Sequence, residues 1–325
     1  MTIFLYILGT IVSLLLIGLV VNSIFFKDEL KSIEAYGEMI DVNGSKMHLY
    51  ALGSGEKTIV LLPGYGVSLP SADFGPLMRK LSQEYTVVSI EYFGVGFSEE
   101  IDTPRTNENY VNEIRTVLNK AGFKPPYILM PHSASGIYSE YYAAKYSEEV
   151  SAIIMLDTTS SSEISKTPVY IRFLYKVLFP IAKFQQATGI TRLLFKLVPD
   201  TKLLENGYSQ KEIKDYRMFN YHLINKTMIN QELFFMENIK GVNGLPFPEN
   251  IPVLKIIPQD TLDSMAKKDK EAGMEYQKKH LNRLGEKASY EVLEGTHFIY
   301  QKQVDEIVRL INKFLADIEV KNKNI

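Results

Sequence analysis

Six apolar runs of strand length govern what this chain can fold into: Thr58–Leu62, Thr86–Ile90, Tyr127–Met130, Ala152–Leu156, Val253–Ile257 and Ser289–Leu293. Each is followed by turn residues and then by a stretch of helical periodicity. A strand that is apolar on both faces must be covered on both faces, and parallel neighbours need long crossover connections, usually helices. Right-handed crossovers of this kind build a doubly wound sheet. Ahead of them, Glu38 to Leu52 alternates apolar and polar residues around Asn43-Gly44, the pattern of a two-stranded hairpin. The chain is therefore expected to be α/β, with a mostly parallel, doubly wound sheet of about eight strands.

The alternation stalls between Asp157 and Pro252, where helical stretches follow one another. An insertion of that length cannot be a plain connection in a compact domain, so it reads as a helical cap. The expected organisation is a core in two parts, residues 36–157 and 251–318, with the cap at 158–250 between them. The cap is rich in large apolar side chains, among them Leu178, Phe179, Leu193, Leu194, Phe195, Met218, Phe219, Tyr221, Met228, Leu233, Phe234, Phe235 and Met236. Most should bury one another, and the set is expected to line an apolar pocket, because a thin helical layer has more apolar surface than it can hide alone. The charged stretch Lys267 to Lys279 reads as a solvated helix.

Residues 1–30 differ in kind. From Ile3 to Phe26 no residue is charged, and as a helix this run is about 36 Å long, enough to cross a bilayer core. A cleaved signal peptide would want a basic start and a small-x-small cleavage site, whereas Met1-Thr2 and the stretch Val21 to Phe26 offer neither. The segment is expected to be a single transmembrane helix. Lys27 and Lys31 follow it with Asp28 and Glu29 between them, so flanking charge leaves the side of the membrane open.

A net charge of −2 with no long basic run leaves nothing to grip a phosphate backbone, so nucleic acid is not an expected partner. The absence of cysteine removes disulfides, thiolate metal sites and cysteine nucleophiles. The five histidines are scattered without an HExxH pair, and neither a metal nor a cofactor is expected. His48, His132, His222 and His280 read as surface or packing residues.

Chemistry is suggested where the run Tyr127–Met130 ends in Pro131-His132-Ser133-Ala134-Ser135-Gly136. In an open α/β sheet, ligands sit beyond the carboxyl ends of the strands. A serine there, among small neighbours, fits a tight strand-to-helix turn, and the helix from Gly136 to Lys145 would aim its N-terminal N–H groups at whatever forms beside it. The stretch resembles the nucleophile elbow of the α/β-hydrolase fold family, usually Gly-x-Ser-x-Gly, with Pro131 and Ser135 in place of the outer glycines. Three further stretches share the resemblance. Leu61-Leu62-Pro63-Gly64-Tyr65-Gly66 stands where the family has its His-Gly loop, and Glu91-Tyr92-Phe93-Gly94-Val95-Gly96-Phe97-Ser98 resembles its Asp-x-x-Gly-x-Gly-x-Ser loop. Glu294-Gly295-Thr296-His297-Phe298 follows the last strand and precedes an amphipathic helix, Val304–Leu315.

The resemblance implies Ser133 as nucleophile, His297 as general base and the N–H groups of Tyr65 and Ala134 as the oxyanion hole. The loop from Glu91 is taken as structural. The acid has three candidates. The family usually places it after the strand that follows the cap, which offers Asp260 and Asp263, although the usual spacing from Pro252 lands on Thr261. Asp157, at the end of the strand beside the nucleophile's, is a position that some members use. The implied activity is that of a membrane-anchored serine hydrolase, a carboxylesterase or lipase-like enzyme without cofactor. Its expected substrate is an apolar, lipid-like small-molecule ester. A non-catalytic binding or receptor protein on the same scaffold, or a membrane acyltransferase, is the alternative.

Overall fold

A computed structural model describes residues 2–162, 169–197, 201–266 and 272–323. Eight strands form one sheet: β1 (Glu38–Val42), β2 (Ser45–Leu52), β3 (Thr58–Leu62), β4 (Thr86–Glu91), β5 (Tyr127–Pro131), β6 (Val150–Leu156), β7 (Val253–Pro258) and β8 (Ala288–Leu293). Their order is β1-β2-β4-β3-β5-β6-β7-β8. The β1–β2 hairpin turns on Asn43 and Gly44, both with positive φ, and β2 meets β4 antiparallel. All later pairings are parallel, as the two-faced apolar runs require.

Two apolar layers cover the sheet. On one face Val60, Leu62, Val88, Ile90, Leu129, Ile153 and Met155 pack against helices Asn107–Lys120 and Ser135–Lys145. On the other, Ile59, Leu61, Val87, Ile128, Met130, Ile154 and Ile256 pack against Gly75–Leu81 and the C-terminal helix Val304–Lys323. From β3 the chain steps outward to β4, then crosses back to β5 on β3's other side. The loops after β3 and β5 thus diverge at the switch point where such sheets open a crevice.

Between β6 and β7 the described residues contain helices but no strand, the helices being Val169–Ala187, Ile190–Lys196, Thr201–Glu205, Gln210–Asn220 and Lys226–Asn243. Of the apolar side chains expected to be covered there, Phe219 and Met228 are buried, whereas Leu178, Leu193, Leu194 and Leu233 face outward. Of the charged stretch, helix Ala272–Leu284 covers the later part, and Lys267–Glu271 lie outside the described residues. Helix Thr2–Phe25 has no buried residue, and among the described residues it belongs to the one segment long and apolar enough to cross a membrane.

The cap is seated on the core through polar contacts. The Tyr208 hydroxyl donates to the Asp73 carbonyl at 2.5 Å, and Arg79 pairs with Glu212. The buried Asp73 carboxylate accepts from the Tyr300 hydroxyl and, at 2.7 Å, from Gln301 Nε2. Burial nonetheless pushes its pKa up to about 6, the two hydrogen bonds offsetting only part of the desolvation. A carboxyl group that holds its proton more tightly in the folded state stabilises it at low pH. That contribution, on the order of 2–3 kcal/mol, is lost as pH rises from about 4 to about 6. Asp73→Asn removes the titration. The melting temperature of the wild type minus that of the variant should therefore shrink over this window and be flat above it; a difference constant from pH 4 to 7 would contradict the account.

Candidate active site

The turn after β5 is tight enough to force Ser133 to φ +53°, a left-handed conformation that a side chain with a Cβ adopts only when its surroundings hold it there. They do so from both sides. The Ser133 N–H donates to Leu156 O at 3.1 Å, and its carbonyl accepts from Thr159 N at 3.0 Å and Gly136 N at 3.2 Å. The small neighbours are a matter of space. A Cβ on Gly136 would lie 2.6 Å from Thr158 Cβ, and one on Gly64, in the loop after β3, would lie 2.7 Å from both Ser133 Cβ and His132 Nδ1.

The two departures from the usual elbow are accommodated. Pro131 ends β5 still in register with Leu62, and the next residue, His132, donates its N–H to Leu62 O at 2.9 Å. Ser135 is fully buried, donates its hydroxyl to Pro63 O and contacts the Tyr92 hydroxyl at 2.8 Å. Its extra atoms tie the loop after β3 to the elbow, where a glycine would leave those partners without it.

His297 arrives from the loop after β8, with its side chain 44% exposed. Its Nε2 lies 2.9 Å from Ser133 Oγ and its Nδ1 2.6 Å from Asp157 Oδ2. A carboxylate oxygen only accepts, so Nδ1 carries the proton and Nε2 offers its lone pair to the serine hydroxyl. Asp157 follows β6, is buried, and like Ser133 has positive φ, +42°. Its Oδ2 also accepts from Thr261 Oγ1 at 2.7 Å.

Of the three acid candidates, the structure brings Asp157 to the imidazole and leaves Asp260 and Asp263 away from it. Both are exposed on helix Gln259–Ala266, where Asp263 Oδ1 accepts from Gln259 at 2.8 Å. The residue on which the family spacing falls, Thr261, has no carboxylate; it faces inward and donates to the aspartate that reaches the imidazole. Of the residues singled out beforehand, Ser133, His297 and Asp157 are brought into one hydrogen-bonded line. Tyr65 lies in the loop that crosses the elbow, and Ala134 directly follows Ser133 at the start of helix Ser135–Lys145.

His132, expected as a surface or packing residue, lies against the site. The ring is buried beneath His297, centroids 4.6 Å apart, and its Nε2–H donates to the His297 carbonyl at 3.1 Å. Burial, then the neighbouring His297, pushes its pKa down to about 3, so the ring is neutral and adds no charge beneath the site. Its place directly before Ser133 was the available signal. Glu91 holds the loop that it begins: its carboxylate accepts from Phe97 N at 2.7 Å and Ser71 N at 3.1 Å and lies 3.1 Å from His48 Nδ1.

A family model described as the alpha/beta hydrolase fold matches residues 57–191. An uncharacterized protein of Bacillus subtilis, YbdG, is 30% identical over 297 residues, which are 88% of this chain and 87% of that protein. Among solved structures, an enol-lactonase from Burkholderia xenovorans superposes with a TM-score of 0.59 at 16% identity, covering 86% of this chain and all of the other. A mutant of a putative epoxide hydrolase from Pseudomonas aeruginosa superposes with a TM-score of 0.65 at 14% identity, covering 86% of this chain and 95% of that one. With the sheet order, the elbow and the extended match to YbdG, this chain belongs to the α/β-hydrolase family, whose membership supports hydrolysis as its chemistry.

Proposed function

We propose that the chain is a serine hydrolase that cleaves carboxylic esters with an apolar part, through an acyl-enzyme on Ser133. The observation that carries this reading is the unbroken line from Ser133 Oγ to His297 Nε2, 2.9 Å, and from His297 Nδ1 to Asp157 Oδ2, 2.6 Å. A serine hydroxyl is a weak nucleophile at neutral pH and needs such a base beside it. Ser133 Oγ attacks the ester carbonyl carbon while its proton passes to Nε2, and the Asp157 carboxylate stabilises the imidazolium. The tetrahedral oxyanion is held by the N–H groups of Tyr65 and Ala134, each worth about 2.7–4 kcal/mol of barrier in comparable sites. Collapse breaks the C–O bond to the leaving alcohol, which takes the proton from Nε2. Water, giving a proton to His297 Nε2, then attacks the acyl carbon; the bond from that carbon to Ser133 Oγ breaks, Oγ takes the proton back from Nε2, and the carboxylic acid leaves.

A serine nucleophile suits an acyl carbonyl, and the structural neighbour named as an enol-lactonase acts, by that name, on a cyclic ester. The apolar preference rests on the cap's large side chains and on the N-terminal helix, which we read as a membrane anchor.

A fluorophosphonate probe should label the wild type, fail on Ser133→Ala and react far more slowly with Asp157→Asn. Ester turnover by Asp157→Asn should fall by about 10⁴-fold, as when a triad aspartate becomes its amide. Asp260→Asn, altering an exposed carboxylate, should stay within about twofold of wild type. No labelling of well-folded wild-type protein would favour a binding protein on this scaffold. Across p-nitrophenyl esters, kcat/KM should rise from acetate to longer acyl chains, and a steep preference for acetate would count against an apolar substrate.

A further inference from the structure

We propose that the cap is itself a membrane-docking surface: helices Val169–Ala187 and Ile190–Lys196 lay exposed apolar side chains into the same bilayer that the N-terminal helix crosses. The inference rests on reading Thr2–Phe25 as a membrane span. The occupant is a phospholipid surface carrying anionic headgroups.

The first observation is what the cap leaves uncovered. Val177, Leu178, Ile181 and Phe184, between 43% and 49% exposed, recur at three- and four-residue spacing and so share one face of their helix. Leu193, Leu194 and Leu197 follow, at 64%, 53% and 80% exposed. A water-facing cap has no use for such a series. The second is charge. From Val169 to Leu197 the sequence has five basic residues, Arg172, Lys176, Lys183, Arg192 and Lys196, and no acidic one, in a chain whose net charge is −2. A basic helical segment with an apolar face is the composition that lies in a bilayer interface and is drawn to anionic lipid.

The third observation fixes the depth. The N-terminal helix is packed on the cap and does not merely tether it. On its otherwise exposed surface Leu15, Gly18, Leu19, Asn22 and Phe26 are half-buried, a single helical face. A Cβ on Gly18 would collide with the Thr188 carbonyl, and Asn22 Nδ2 donates to Gln186 O at 3.3 Å. Arg192 clamps the base of this helix. Its guanidinium forms a two-pronged ion pair with Glu29, donates through Nε to Asn22 Oδ1 at 3.0 Å, and lies over the rings of Phe26 and Tyr221. His222 adds a contact to Glu29 at 2.6 Å. The first charges after the apolar run are Lys27 and Asp28, so the helix leaves the hydrocarbon core near Phe26 and Asn22 stands about 6 Å inside it. The cap meets this helix from Leu15 to Asn22, a rise of about 10 Å. Its adjoining apolar side chains thus stand at the depth where interfacial helices bury theirs, roughly 5–10 Å into the boundary.

The chain has no cysteine, which makes the test direct. Single variants L193C, L197C, V12C and E291C of the full chain, each checked for wild-type melting temperature, are labelled with the environment-sensitive dye NBD. They are reconstituted in vesicles of equal parts phosphatidylcholine and phosphatidylglycerol. The proposal expects blue-shifted emission at positions 193 and 197, quenched most by lipids nitroxide-labelled high on the acyl chain. Position 12 should be quenched by deeply labelled lipids, and position 291, on the exposed edge strand, by neither. If position 12 is quenched while 193 and 197 behave like 291, the anchor stands and the docking surface is refuted. If position 12 is also unquenched, the anchor reading falls and takes this inference with it, whereas the ester chemistry is judged separately by the fluorophosphonate labelling of Ser133. Disulfide-linked dimers through L193C without quenching would give the surface to a second copy and likewise overturn the proposal.

Discussion

The closeness of two loops underlies the rest of the site. Gly64, after β3, passes so near the turn after β5 that any side chain there would overlap Ser133 Cβ and His132 Nδ1. That approach lets the buried Ser135 hydroxyl reach Pro63 O, two residues before Tyr65. Because the sheet reverses its order between β3 and β5, the chain leaves these two adjacent loops toward opposite faces of the sheet, to helix Gly75–Leu81 on one and to helix Ser135–Lys145 on the other. Left-handed backbone at Ser133 is affordable only because flanking strands and loop hydrogen bonds over-determine it.

Much of this was legible because local chemistry announces itself. Two-faced apolar runs specify a parallel sheet, and all eight strands lie where the runs and the hairpin placed them. The stretches around Ser133 and His297 carry a serine and an imidazole at strand ends, and the fold brings those two side chains together. The acid was not legible in the same way. Which carboxylate meets His297 depends on the relative reach of the loops after β6 and β7, a three-dimensional register that spacing along one strand cannot express. Asp157 reaches Nδ1 because the chain turns through positive φ at Asp157 itself, immediately after Leu156. Thr261 is the complement of this arrangement, its hydroxyl spending its proton on Asp157 Oδ2.

A second set of buried charges lies behind β7 and had no signature in sequence at all. Lys255, wholly buried in the middle of that strand, contacts His280 Nδ1 at 2.7 Å; His280 Nε2 lies 2.8 Å from Glu140 Oε1, and Arg283 reaches Glu140 Oε2 at 3.3 Å. Burial pushes the Lys255 pKa down to about 8, against the pull of Glu140 and Asp157. Burial would raise the Glu140 pKa, but His280, Ser161 and Arg283 outweigh it and hold the group below the usual carboxylate range. Apolar residues could fill this space at similar or lower cost, so such a network is poor evidence for stability. What it does provide is connection: it joins β7, the helix that begins at the elbow and helix Ala272–Leu284. Arg283 continues to the carbonyls of Val242 and Leu245, at 2.7 and 3.0 Å, where the last cap helix ends.

The cap is therefore held at both ends by charge, at Arg283 toward the core and at Arg192 toward the N-terminal helix. Partners 163 residues apart, such as Arg192 and Glu29, leave no trace in any local pattern, which is why flanking charges near the apolar segment looked uninformative. The physical consequence follows from geometry. A helix fixed to the cap along one face cannot swing freely about its end, so the orientation of the core relative to that helix is set by packing and not by a linker.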